Sequence, residues 1–297
     1  MMSTIPSIAI AIPTLNQADT IEFTLHSLLS QNYPRLRLIV LDGGSSDATL
    51  SILRRYQHHF SYWRSSPDDG PWPSIQEALS HVADGWFNWL NSDDLLLPDS
   101  LSLLAELIQR FPRHRWISGA RLDVDASGRP MRSVCPWLWD PSQIVFGEPF
   151  LPQDATFFSV PFLKEIAPLV PRDFRLIFDT VLHRIAWHVQ PPLLTNAVFS
   201  AMRWHGKQLT SSANNCRRQK EYSRARLMFP QYKLSWSRRL LRRLCKTRYS
   251  GEFSAMIEVL LARGYFGADN LQACIYWPWQ LEMKSCSVAE AYSSYRY

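Results

Sequence analysis

A chain of 297 residues, 46% hydrophobic and 20% charged, has the material for a sizeable core and does not have the composition of a disordered or low-complexity protein. It holds no apolar run of the ~18 residues that a spanning helix needs, no basic-then-apolar leader at the N-terminus, and five widely spaced cysteines without a C-x-x-C pair. A signal peptide, a disulfide framework and a zinc site are therefore not expected, and a cytoplasmic location is. The net charge of +6 is uneven: residues 216–297 carry 15 Lys/Arg and 6 Asp/Glu, whereas residues 1–215 carry 17 and 20.

Residues 7–12 form a continuous apolar run, as in a strand buried on both faces of a parallel sheet. It ends at Pro13-Thr14-Leu15-Asn16. A helix follows, with a capping-box-like start at Asp19 and Glu22 and an apolar face of Ile21, Leu25, Leu28 and Leu29. Residues 36–41 are a second strand, ending at Asp42-Gly43-Gly44-Ser45-Ser46-Asp47. Ser46 or Asp47 can cap the next helix, which buries Leu50, Leu53 and Tyr56. A short strand at 60–63 leads to Pro67-Asp68-Asp69-Gly70, and 74–83 reads as a helix.

The aromatic run Trp86-Phe-Asn-Trp-Leu90 reads as a buried strand that stops at Asn91-Ser92-Asp93-Asp94, before a helix over 98–110. This alternation implies a doubly wound, mostly parallel α/β sheet. Asp42, Asp68 and Asp93 all follow strand ends, and right-handed crossovers place such ends along one rim, where open α/β sheets bind ligands. Each acid alone reads as a helix cap or a ligand; three on one rim are harder to explain as caps. Adjacent carboxylates want a positive partner, and a divalent cation carrying a phosphate supplies one. The Gly43-Gly44 pair lacks the dinucleotide spacing.

Residues 116–150 read as irregular loops around a pocket or as ordinary surface loops with tryptophans. A strand is expected over 151–159, a helix over 174–187 with Asp179 near its start, and a strand over 197–202 before Arg203-Trp204-His205.

In order and spacing, the segments around Pro13–Asn16, Asp42–Asp47, Asp68–Gly70, Asn91–Pro98, Pro152–Phe158, Phe174–Asp179 and Met202–Gln208 resemble the family 2 glycosyltransferases over roughly residues 5–212. The resemblance implies a GT-A fold and a hexosyltransferase-type enzyme. It would move a sugar from a nucleotide-sugar donor to a sugar, glycan or lipid-linked acceptor with inversion, in surface polysaccharide or glycolipid biosynthesis. It implies Mn²⁺ or Mg²⁺ held at Asp93 of the DxD-like motif, supported by Asp94 and faced by His205. It implies donor contacts from Pro13, Thr14, Asn16, Asp42, Asp68, Gly70, Asn91 and Arg203, and a catalytic base at Asp179. Asn91 stands where the motif often has an acid, and Pro73 and Gln76 stand where relatives often have Asp and Asn. A catalytically inactive nucleotide-sugar-binding or scaffold protein of the same fold is the alternative. Asp179 also reads as a helix N-cap, and His205 as a satisfied structural histidine.

Residues 216–297 are expected to be a basic, mainly helical extension to a catalytic domain at 1–215. Within 217–248, 12 Lys/Arg meet one Glu, and Trp236, Leu240 and Leu244 fall at helical spacing. That pattern suits an anionic membrane surface, reached peripherally, or a packed helix with a solvated basic face. No nucleic-acid motif accompanies it, so no nucleic-acid partner is expected. Residues 250–297 are expected to be further helix.

Overall fold

The computed structural model describes residues 5–136, 151–205, 208, 215–229, 272–277 and 282–287. Its first half alternates as the pattern predicts: β1 Ile8–Thr14, α1 Ile21–Leu29, β2 Leu36–Asp42, α2 Thr49–Tyr56, β3 Phe60–Ser65, α3 Pro71–Ser80 and β4 Trp86–Trp89. β1 pairs in parallel with β2 and with β4, and β2 with β3. The carboxyl ends of all four strands therefore share one rim. Then come β5 Leu95–Leu96, α4 Ser100–Arg110, β6 Trp116–Val124, β7 Pro130–Val134, β8 Thr156–Ser159, α5 Val160–Ile166, α6 Phe178–Val189, β9 Leu193–Arg203, α7 Asn215–Met228, β10 Gln272–Trp277 and β11 Glu282–Ser287. The sheet runs β11-β10-β9-β6-β8-β4-β1-β2-β3. β8 lies antiparallel between β4 and β6, and β6 is parallel to β9.

Period-two alternation along β1 divides the core. Ile8, Ile10 and Ile12 face a cluster built with α1, α2 and α4, whereas Ala9 and Ala11 face one built with α3, α5 and α6. The small alanines make room for large rings: Trp72 stacks on Phe178, and Trp116 on Phe158. Each buried ring of this size removes an area worth roughly 2–3 kcal/mol from water. Where β6 meets β9, a Cβ on Gly119 would lie 2.4 Å from the Phe199 ring, so only glycine lets the strands approach.

Some expectations change in contact with the structure. Thr20, not Asp19, stands at the N-cap of α1. α1 starts after Thr20, whose hydroxyl donates to Ser92 O, while Glu22 takes the Tyr56 hydroxyl at 2.8 Å and pairs with Arg55. The helix expected at 74–83 begins earlier, at Pro71 after the left-handed Gly70. Residues 116–134 are two strands, not loops. β6 is buried along its length and carries Arg121 and Asp123, a charge pattern that hid its β character. The expected strand at 151–159 is a 3-10 turn, Gln153–Ala155, followed by β8. The helix expected from 174 starts at Phe178. Within 250–297 the described residues form the antiparallel strands β10 and β11, not helix. Trp137, Trp139 and the basic run around Trp236–Leu244 lie outside the described residues.

Candidate active site

The rim is assembled by side chains that tie one loop to the next. At the end of β1, Asn16 adopts a left-handed backbone (φ 53°). Its N–H donates to Ser45 Oγ at 2.8 Å, and its side-chain oxygen accepts the Ser46 N–H at 2.9 Å. Asp47 accepts the N–H groups of Ala18 and Thr49, so one carboxylate serves the starts of both α1 and α2. Thr14 and Asp42 are register partners, and Gly43 N–H donates to Thr14 O. Thr14 Oγ1 is buried without a hydrogen-bond partner among the described residues, which is costly unless something else fills the place. Pro13 beside it is partly exposed.

Asp42 is fully buried. Its carboxylate accepts the Ser45 N–H at 3.0 Å, the Ser65 hydroxyl at 2.5 Å and the Ser45 hydroxyl. Asp68 accepts the Gly70 N–H at 2.9 Å and the Ser74 hydroxyl at 2.6 Å, so it organises the start of α3 as well as facing the rim. Arg64 was not singled out from the sequence, yet it joins these parts. Its guanidinium grips both oxygens of Glu77, donates to Asp42 O and Ser66 O, and stands 3.6 Å from Asp68.

The acid turn after β4 is held from below. Thr24 donates to Asp94 O, and Asn91 Nδ2 donates to Asp94 Oδ2 at 3.2 Å. Asp94 is buried and accepts the Arg203 N–H at 3.1 Å. Burial, then the charges of Asp93 and Asp154, hold its carboxyl well above the usual range. Asp93 is more exposed, and its Oδ2 lies 2.8 Å from His205 Nε2. The sheet thus brings together residues 112 apart in sequence: Asp93 after β4 and His205 after β9. The Arg203 guanidinium points elsewhere, donating to Ala126 O and lying over the Phe23 ring.

A buried ion network lies behind the acid turn. Arg121 pairs with Asp123 at 2.9 Å and Asp154 at 3.3 Å; Asp123 also takes Arg132, and Asp154 takes the Ser200 hydroxyl. Sequence reading passed over Arg121 and Asp154. The available signal was a charged pair two residues apart on one face of an apolar strand, which is unusual unless the charges are matched. Asp179 sits in the first turn of α6, where its Oδ1 accepts the Thr180 N–H at 2.7 Å. Burial raises its carboxyl to about 6, against the opposing pull of the Thr180 bond and of Arg121. Arg121 also feels Asp154, Asp123 and Asp94, so one guanidinium acts on both the acid turn and the start of α6.

A carboxylate and an imidazole at 2.8 Å can share a divalent cation if they part slightly. Among the described residues no three His, Cys, Asp or Glu stand together as a metal set. A cation at Asp93 and His205 would have to take its remaining ligands from substrate or water.

Comparison with known proteins agrees with this architecture. An uncharacterized glycosyltransferase of Mycobacterium tuberculosis is 25% identical over 167 residues, covering 56% of this chain and 63% of the relative. An uncharacterized glycosyltransferase of Mycoplasma pneumoniae is 33% identical over 110 residues, 35% of this chain and 37% of the relative. The matches thus span less than two thirds of these relatives' length. The crystal structure of S. aureus TarS 1-349 in complex with UDP-GlcNAc is similar at a TM-score of 0.59 with 16% identity, covering 86% of this chain and 71% of that one. The mannosyltransferase PcManGT from Pyrobaculum calidifontis, in complex with GDP-Man and Mn²⁺, gives 0.58 and 17%, covering 99% and 75%. These likenesses show the GT-A type of fold. The family model described as "Glycosyl transferase family 2" matches residues 9–162, more than half of the 297, and the chain belongs to that family.

Proposed function

We propose that this chain transfers a sugar from a nucleotide-sugar donor to an acceptor hydroxyl with inversion. The observation that carries the reading is the meeting of Asp93 and His205 on the same rim as Asp42 and Asp68. The nucleoside lies against Pro13, Thr14, Asn16, Asp68 and Gly70. Asp42 shapes this pocket through Ser45 and Ser65 and reads the base by exchanging one of those bonds. The unpartnered Thr14 hydroxyl supports a polar ligand there. The diphosphate lies toward Asn91, Asp93, Asp94 and His205, with Arg203 contributing through its backbone N–H, which holds Asp94.

Asp93 and His205 would hold Mn²⁺ or Mg²⁺, which supplies charge neutralisation at the leaving diphosphate. The protein's own part is positioning and proton transfer. The acceptor oxygen attacks the anomeric carbon from the face opposite the diphosphate. The new C–O bond forms as the bond to the phosphate oxygen breaks, and the hydroxyl proton passes to Asp179. A carboxyl poised at about 6 is charged at neutral pH yet close enough to it to accept a proton readily. The acceptor is a sugar, a glycan or a lipid-linked sugar of surface polysaccharide or glycolipid assembly. The excess of basic residues over 217–248 suits a peripheral position on an anionic cytoplasmic membrane face. No helix among the described residues is long and apolar enough to cross a membrane.

A thermal-shift screen of UDP- and GDP-sugars with Mn²⁺ tests the donor reading. A bound donor raises the unfolding temperature by mass action. No shift with any nucleotide-sugar at millimolar concentration contradicts it.

A further inference from the structure

Helix α7 lies beyond the segment matched by the family, yet its buried side chains close over the start of α6. Glu221 is 4% exposed, and its carboxylate accepts the backbone N–H groups of Arg175 at 3.3 Å, Leu176 at 2.9 Å and Ile177 at 3.2 Å. Ile177 is the N-cap of α6, and Asp179 is its second residue. The amides at a helix start lack intrahelical acceptors and seek an anion. Isoleucine offers none, and the carboxylate nearest in sequence to the Ile177 N–H is Asp179, which already accepts the Thr180 N–H. In the structure the role goes to Glu221, 44 residues further along the chain.

The rest of α7 fixes this arrangement. Arg224 pairs with Asp173 and lies over the Phe174 ring, Ala225 is buried, and Arg184 of α6 reaches over Phe229. Tyr222, next to Glu221, bonds to Thr180 and has its hydroxyl raised by burial and by the Asp179 charge.

We propose that Glu221 is a positioning residue for the catalytic carboxylate: by taking the amides of residues 175–177 it keeps Asp179, whose one oxygen already holds the Thr180 N–H, from being drawn back onto them as well, and leaves the rest of that carboxylate available to the acceptor. This rests on the reading of Asp179 as the base. It makes α7, the beginning of the basic C-terminal part, a component of the active site. Arg121 from β6, paired with Asp123 and Asp154, acts on Asp179 directly; Tyr222 from α7 feels the Asp179 charge together with those of Arg218 and Arg184, and Glu221 faces the amides just before α6. Without Glu221, Asp179 is drawn to the vacated N–H groups, and hydrogen bonds to a charged carboxylate favour the charged form.

The test is the carboxyl carbon-13 titration of full-length, aspartate-labelled protein, with the Asp179 signal assigned by its loss in Asp179→Asn. Wild type should titrate near 6. Glu221→Gln should bring the midpoint toward the ordinary value of ~3.9. Glu221→Asp keeps the charge but withdraws it by one methylene; an intermediate midpoint there comes from altered bonding, not from lost charge, and this milder variant serves where the glutamine variant folds poorly. A purely structural role for Glu221 lowers the unfolding temperature and leaves the midpoint near 6 in both variants, which overturns the inference. Undiminished sugar transfer by Asp179→Asn overturns the base reading, and this inference with it.

Discussion

Replacing Asp179 by Asn should make the protein more stable while disabling it. Burial holds the Asp179 carboxyl at about 6 against an ordinary 3.8. The folded protein therefore binds this proton more tightly than the unfolded chain does. Stability from this group is complete below the unfolded value and is lost as pH rises through about 6. A shift of about two units corresponds to ~3 kcal/mol at ~1.4 kcal/mol per unit. The side chain is partly exposed, so solvent screening brings the expected figure to ~1–3 kcal/mol. Asparagine keeps the shape and the acceptor for Thr180 N–H but never charges. In urea unfolding at pH 7.5 the variant should exceed wild type by that amount, and the gap should close by about pH 3.5, below both values. A variant less stable than wild type at pH 7.5, or a gap that does not change with pH, would refute the argument that a partly buried, costly charge sits at the start of α6.

Two further outcomes follow from the same structure. Asp93→Ala should remove Mn²⁺-dependent binding of a donor identified by the thermal screen while leaving the fold intact, because Asp93 stands on a loop and its side-chain bond goes to His205; unchanged affinity in isothermal titration would exclude the metal role. Anionic phosphatidylserine vesicles should sediment the full-length protein in 0.1 M salt and release it in 1 M, as the Debye length falls from ~10 to ~3 Å. Removal of the Lys/Arg charges over 230–248 by substitution to Gln should abolish this, and equal sedimentation of both proteins would contradict a membrane role for the tail.

The first half of the fold was legible because β1, β2 and β4 are largely apolar runs with buried residues on both faces, and each loop carries its own punctuation: Pro13, Gly43-Gly44, Gly70, Pro98. The rim acids could be read for the same reason, since topology alone sets parallel strand ends side by side. β6 was missed because Arg121 and Asp123 break its apolar pattern, and their compensation comes from Asp154 and Arg132, far off in sequence. Asp42 and Asp68 were read as ligands without their serine partners, because nothing in a linear pattern says that Ser45, Ser65 and Ser74 turn inward. The capping role of Glu221 was beyond reach for a similar reason. It lies within a run of arginines and reads as one more solvated helix residue, whereas packing buries it against the chain that leads into another helix.

The most direct test is sugar transfer itself. With the donor found by thermal shift, Mn²⁺, and a panel of glycan and lipid-linked acceptors, wild-type protein should release nucleoside diphosphate and form product with inverted anomeric configuration, read by proton NMR. Asp179→Asn should bind the donor as wild type does and lose transfer by on the order of 10²–10⁴-fold, the usual contribution of a general base. Product with retained configuration, or wild-type turnover by the asparagine variant, would contradict the account.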